Sequence, residues 1–313
     1  MIETFLTGVA PVFSVVLIGW LAARSGAFDG VGAGWINKFV FLICLSALLF
    51  RLVADAPLAA MPWNAAGAHL MVELRVMALG FLAARYGFRR SAPESLLIGM
   101  SAGFANHVFV VHPIAVALFG EEASRAILAT MMIDAAVIFS LAILAVDGMR
   151  PDAEGAPLRR LWTSITTNPP ILAILAGFAA NLLAFRAPAD LDFFLGFLGS
   201  AAPPASLFAL GVVLAARAEG REIWASGVVT ALKLVAAPAL VWLLVDRELG
   251  FGQALGVGEI DGRAAILGAA GPTGAMPFVL ALKFGAPPQT ITRAILISTA
   301  ASAIVLSVLA APA

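Results

Sequence analysis

Ten apolar stretches, each about as long as a helix needs to be to cross a bilayer, leave this chain little with which to build a water-soluble fold. They fall at 4–24, 33–53, 64–84, 94–119, 122–146, 167–186, 195–216, 224–245, 262–284 and 289–310. Of the 313 residues, 61% are hydrophobic and 12% charged, whereas a soluble domain is about half apolar and a quarter charged. Hydrocarbon offers no partner to a backbone N–H or C=O, so each stretch must satisfy itself as a helix. The expectation is an all-α integral membrane protein in a lipid bilayer, a single membrane domain over 1–313 with no room for an appended catalytic domain.

Charge sets orientation and excludes some partners. The net charge is zero, which argues against nucleic acid. With both termini outside, most basic residues between stretches face the cytoplasm, among them Arg89, Arg90, Arg159, Arg160, Arg217 and Arg221. Arg51, Arg125, Arg186, Arg247 and Arg263 face out. The opposite orientation would invert that bias. The first stretch has no Lys or Arg before its apolar core, and its first cation, Arg24, follows it; it is expected to be a retained helix, not a signal peptide. The one cysteine, Cys44, lies in an apolar stretch and reads as packing.

The polar connection 147–166 divides the chain into two sets of five stretches, 1–146 and 167–313, and the sets resemble each other. PVFSVVLIGWLAA from Pro11 aligns with PPILAILAGFAAN from Pro169, so that Gly19 falls on Gly177 at an offset of 158. The same offset carries Leu49 and Phe50 onto Leu207 and Phe208, Ser46 onto Pro204, and Arg75 onto Lys233. Pro113 falls on Pro277 at 164, and RAIL occurs at both Arg125 and Arg293. An odd number of crossings per repeat makes the second repeat enter the membrane inverted, the plan of many secondary transporters.

The fourth and ninth stretches are broken in the same place. One carries Asn106, His107, His112 and Pro113; the other carries Pro272, Thr273, Gly274, Met276 and Pro277. Proline frees a carbonyl one turn earlier, and polar side chains are expensive in hydrocarbon. Two unwound stretches that cross near mid-membrane would expose half-helix ends, and the N-terminal ends, expected at Pro113 and Pro277, suit an anion. Broken helices in corresponding positions are the best sequence pointer to a transporter's binding site. Prolines that merely kink two packed helices are the plainer alternative, disfavoured by the symmetry.

Four charges sit at membrane depth. Asp134 is the acidic residue deep in the fifth stretch, where an unpaired charge costs about 2.5–3.5 kcal/mol. It reads equally as a site for a coupling ion, H⁺ or Na⁺, and as a structural partner. Arg75 and Lys233 are inner cations related by the repeat, with Glu73 two residues from Arg75; both cations are read first as structural. His69 reads as a neutral residue near a membrane surface. His107 and His112, five apart, do not share a helix face. One is expected to line the substrate path and the other to make a structural bond, with His107 beside Asn106 the better candidate for the path. No metal motif accompanies them.

With these residues in view, the chain resembles the auxin efflux carrier family, which includes bacterial organic-anion and malonate-type carriers and the plant auxin exporters. The matching features are Pro11, Gly19, Asn37, ALLF from Ala47, Asn106 with Pro113 and Leu118 to Gly120, PPASLFALG from Pro203, KLVAAP from Lys233, and PTGAMPFVLALKFG from Pro272. The resemblance implies ten transmembrane helices in two inverted repeats, as in the bile-acid symporters, with crossed broken helices 4 and 9 and an anion bound beside the crossover. Asn106, Pro113 and Pro277 would be its crossover residues. Ser46 stands where the family usually has proline, and HVFVVH replaces a small, glycine-containing run.

The expected function is secondary transport of a small organic anion, a carboxylate, across a bacterial inner membrane by alternating access, with no cofactor. The absence of a P-loop argues against direct ATP drive. A sodium-coupled bile-acid-type carrier is the nearest alternative within transport. A non-transporting scaffold and an intramembrane hydrolase using Ser101 and His107 are the alternatives outside it, and the chain is read as no enzyme. The apolar first and second stretches and their mates offer a face for a homodimer.

Overall fold

The computed structural model describes residues 10–149, 159, 162, 163, 166–215, 223–246, 248 and 250–309. Residues 4–9 of the first stretch, most of the connection 147–166, and Arg150, Arg160, Arg217, Arg221 and Arg247 lie outside them. Among the described residues the chain is helical and forms no strand.

Among the described residues twelve helices follow the apolar stretches. They are α1 (Ala10–Arg24), α2 (Gly30–Ala54), α3 (Trp63–Gly87), α4 (Ala92–Gly103), α5 (His107–Phe119), α6 (121–148), α7 (Pro169–Leu182), α8 (Ala189–Leu214), α9 (Ile223–Val245), α10 (Glu259–Ala269), α11 (Met276–Phe284) and α12 (Gln289–Leu309). Five of them, α2, α3, α8, α9 and α12, are long and apolar enough to cross a membrane, and the protein is an integral, multi-pass membrane protein. The fourth and ninth stretches each give two short helices with a gap between, α4 with α5 and α10 with α11. All six tryptophans are exposed, as lipid-facing and interfacial positions require.

Local chemistry sets the helix ends. Asp29 Oδ1 accepts from the Gly32 N–H at 2.7 Å to start α2, and Ser91 Oγ accepts from the Glu94 N–H at 3.4 Å to start α4. Internal prolines are absorbed by π turns. Val111 ends a π turn begun at His107, just before Pro113, and Ala236 ends one begun at Leu232, just before Pro238. A π turn shifts the hydrogen-bond register by one residue, so the donor that proline lacks is less missed.

The helices gather into two compact units. The first contains α3 to α6 and α9 to α12; the second contains α1, α2, α7 and α8.

In the second unit, helices touch backbone to backbone at glycines. A Cβ on Gly19 would overlap the Phe208 carbonyl oxygen, and one on Gly211 would overlap that of Val16, so α1 and α8 approach more closely than any larger residue allows. Gly177 of α7 sits in the same way against the Phe50 carbonyl of α2, 2.9 Å from where its Cβ would be. Gly19 and Gly177 stand 158 residues apart, and so do Phe50 and Phe208, so the two contacts exchange under that offset. Asn181 Nδ2 donates to the carbonyls of Val53, Ala54 and Ala56 at 3.1, 2.9 and 2.7 Å, capping the C-terminal end of α2. Arg51 closes a two-point ion pair on Asp192, at 2.7 and 3.1 Å.

Candidate functional site

The two broken helices of the first unit meet at a single point. Ala105 and Thr273 form an isolated antiparallel bridge. The Asn106 N–H donates to the Pro272 carbonyl at 2.8 Å, and the Gly274 N–H donates to the Phe104 carbonyl at 3.0 Å. Backbone groups that a helix would have paired internally are thus paired across the crossing, which is what hydrocarbon demands of an unwound segment. The bridge is fixed from the side. Thr273 Oγ1 donates to the Ser101 carbonyl at 2.9 Å, and its N–H donates to Ser298 Oγ of α12 at 3.0 Å. Gly274 leaves room for the Phe104 ring, which a Cβ would overlap.

The first break is displaced from its expected position. It spans Phe104 to Asn106, and α5 starts at His107, not at Pro113. Pro113 is helical, because its place directly after a π turn removes the need for its missing donor. The bridge therefore relates the two limbs at an offset of 168, not the 164 that the prolines suggest. On the second limb Pro277 is the second residue of α11, where proline is tolerated. Met276 begins that helix and is half-buried.

Asn106 caps α5. Its Oδ1 accepts from the Phe109 N–H at 3.3 Å. Among the described residues its amide Nδ2 has no hydrogen-bond partner, and the side chain is half-buried, so a donor remains at the start of a half-helix whose first N–H groups carry positive partial charge.

Below this start lies a buried polar cluster. His107 Nδ1 stands 2.9 Å from Asp134 Oδ2, with both side chains almost fully enclosed. Glu73 of α3 is buried within electrostatic range of Asp134 and Lys233. Lys233 is fully buried and donates to the Ala269 carbonyl at 2.8 Å. That carbonyl belongs to the last residue of α10, so the ammonium caps the negative end of a half-helix. Glu73 also packs against Gly103, the last residue of α4. The cluster therefore touches three of the half-helix ends that make the crossover.

Several expected site residues lie elsewhere. Arg75 is exposed, its guanidinium donating to the Met71 carbonyl at 2.9 Å. Two residues on from Glu73 is more than half a turn around the helix, so the pair cannot share a face. His112 bonds Ser124 on α6 at 2.8 Å, apart from the His107 cluster. Ser46 belongs to the second unit, where its hydroxyl donates to the Leu42 carbonyl one turn back. The Thr273 hydroxyl is engaged within the crossover. Ser101 donates to the Leu97 carbonyl at 2.9 Å, and it makes no hydrogen bond with His107 among the described residues.

His69, read as a neutral residue near a membrane surface, takes part in the buried cluster. It is 2% exposed and stacks edge-on against His107, ring centroids 5.2 Å apart. It sits nearly two turns into α3, well below that helix's end. The available signal was its four-residue spacing from Glu73, which puts both on one helix face.

A family model described as "Membrane transport protein" matches residues 4–310. Among curated proteins, a "Putative malonate transporter" of Rhizobium meliloti (strain 1021) is 28% identical over 302 residues, covering 94% of this chain and 91% of that protein. An "Uncharacterized transporter" of Methanothermobacter thermautotrophicus is 22% identical over 304 residues, covering 93% of this chain and 92% of that protein.

Proposed function

The chain belongs to the membrane transport protein family, that of the auxin efflux carriers, and from that premise we propose that it is a secondary transporter of a small organic anion, a malonate-like carboxylate. The observation that carries this reading is the crossover. Asn106 Nδ2 and the start of α5 provide neutral donors for a carboxylate, held by a backbone bridge and not by mobile side chains. Pre-organised donors of this kind bind an anion without burying a permanent counter-charge.

The architecture that fits is ten transmembrane helices in two inverted five-helix repeats, 1–146 and 167–313, with both termini outside a bacterial inner membrane. One observation supports it. The Gly19–Phe208 and Gly177–Phe50 contacts exchange under the 158-residue offset, as a two-fold axis in the membrane plane would require. Alternating access then moves the substrate around the crossover. The similarity to the "Putative malonate transporter" of Rhizobium meliloti favours a dicarboxylate. His107 is enclosed with Asp134, Thr273 is engaged within the crossover, and selectivity falls to the first limb around Asn106.

Counterflow in proteoliposomes tests this. Vesicles preloaded with malonate should take up labelled malonate from outside, and other small mono- and dicarboxylates should compete in a ranked order. Uptake equal to that of protein-free vesicles for every carboxylate would remove the transport reading.

A further inference from the structure

We propose that Glu73, Asp134, His107 and Lys233 form a proton-binding site built onto the ends of the broken helices, and that one exchangeable proton held there is the coupling ion of transport. The coupling half rests on the transport reading above; the proton site does not.

Geometry and charge balance carry the inference. Both Glu73 oxygens, Asp134 Oδ1 and His107 Nε2 are buried and without a hydrogen-bond partner among the described residues, although Glu73 and Asp134 face each other. Two buried carboxylates that feel each other's charge are costly to ionise together unless that charge is compensated. Lys233, in electrostatic range of both, offsets one. With one proton on the acidic pair the cluster is neutral; without it the cluster carries one net negative charge in a site sealed from water. The deprotonated state is thus the one that requires an opening or a rearrangement.

Among the described residues, the charged and titratable groups near the pair come from four helices. His69 and Glu73 come from α3, His107 from α5, Asp134 from α6 and Lys233 from α9, while α10 contributes only backbone, the Ala269 carbonyl and the face of Gly268 beside His107 Nε2. No group of three His, Cys, Asp or Glu among the described residues is arranged to hold a metal ion, and the Lys233 ammonium, bonded to the Ala269 carbonyl, already supplies a positive charge in electrostatic range of both carboxyls. A proton fits where a further cation does not. His107, Asp134 and Lys233 each lie within a π turn, a register defect that recurs at functional sites because it can slide.

The link to transport is mechanical. His107 is the first residue of α5, Lys233 holds the last carbonyl of α10, and Glu73 packs on the last residue of α4. Release of the proton, from a carboxyl oxygen to water, leaves the pair as two carboxylates that repel, strengthens the pull on Lys233, and so alters its hold on Ala269. The same three ends define the position of Asn106.

Infrared difference spectra of the purified protein across pH decide the site without any substrate. The wild type should show a buried carboxylic-acid C=O band that titrates, and both Glu73→Gln and Asp134→Asn should remove or shift it; no titrating band, or one unchanged in both variants, overturns the proposal. In proteoliposomes that show malonate counterflow, an imposed pH gradient should drive accumulation by the wild type. Glu73→Gln should lose the response to the gradient by a larger factor than it loses exchange, and equal loss of both overturns the coupling. Accumulation that follows a sodium gradient and ignores pH overturns the coupling. Absent counterflow in the wild type counts against the transport reading alone, because the infrared result still stands.

Discussion

Ala105 and Thr273 pair as an isolated antiparallel bridge between two helices that are each interrupted at that point. Everything assigned to the candidate site is arranged around this pairing. It holds Asn106 at the start of α5 and brings the ends of α4 and α10 over a buried set of charges.

The bridge predicts a structural role for Thr273. Thr273→Val keeps shape and removes the hydroxyl that donates to the Ser101 carbonyl. Stability should fall by about 1–3 kcal/mol, the cost of leaving a buried acceptor unpaired, and the relative affinities for competing carboxylates should be unchanged. Thermal unfolding in detergent alongside a competition series checks both. A changed selectivity order would instead place Thr273 in contact with substrate.

Close backbone approach predicts the behaviour of the glycines in the second unit. Gly19→Ala and Gly211→Ala would each push a methyl into a carbonyl of the facing helix. Each should cost about 1–3 kcal/mol through forced separation of α1 and α8. Gly34→Ala, where nothing lies within reach of the new methyl, should be neutral or slightly stabilising. Folded yield by size-exclusion chromatography separates the cases.

Lys233 predicts a non-additive pair. Lys233→Met removes a positive charge in electrostatic range of Glu73 and Asp134 and leaves the Ala269 carbonyl without its ammonium donor, and an unpaired buried acceptor alone costs about 1–3 kcal/mol. Adding Glu73→Gln should recover part of that loss, since it removes a charge the single variant has stranded. A double-mutant cycle on thermal stability measures the coupling. Strict additivity would show that the two side chains do not interact.

Much of this was legible in the sequence, and the failures have physical causes. The pairing of Gly19 with Gly177 and of Phe50 with Phe208 was readable from the repeat, because close helix packing constrains residue size at fixed positions. The broken fourth and ninth stretches were readable because proline, glycine and asparagine are costly in hydrocarbon. The exact break was not. Proline was read as the interruption, but a π turn absorbs Pro113 and the chain unwinds at Phe104 to Asn106, where no proline stands. Arg75 was paired with Lys233 by the offset, yet one faces outward and the other is fully buried, since offset fixes position along a helix more firmly than the face presented. His69 was missed because its role depends on three other helices, which only tertiary packing brings together.

The central claim, that an organic anion binds at the crossover beside Asn106, is tested most directly by calorimetric titration of malonate into the purified wild type and Asn106→Ala. Loss of the Asn106 cap should cost about 1 kcal/mol of stability, leaving the variant folded. Loss of its donor to a carboxylate, about 1.5–3 kcal/mol, should weaken binding by roughly tenfold or more. Saturable binding in the wild type that falls by that factor in a folded Asn106→Ala variant is the predicted result. Equal affinity in the two proteins would contradict it and place the anion elsewhere.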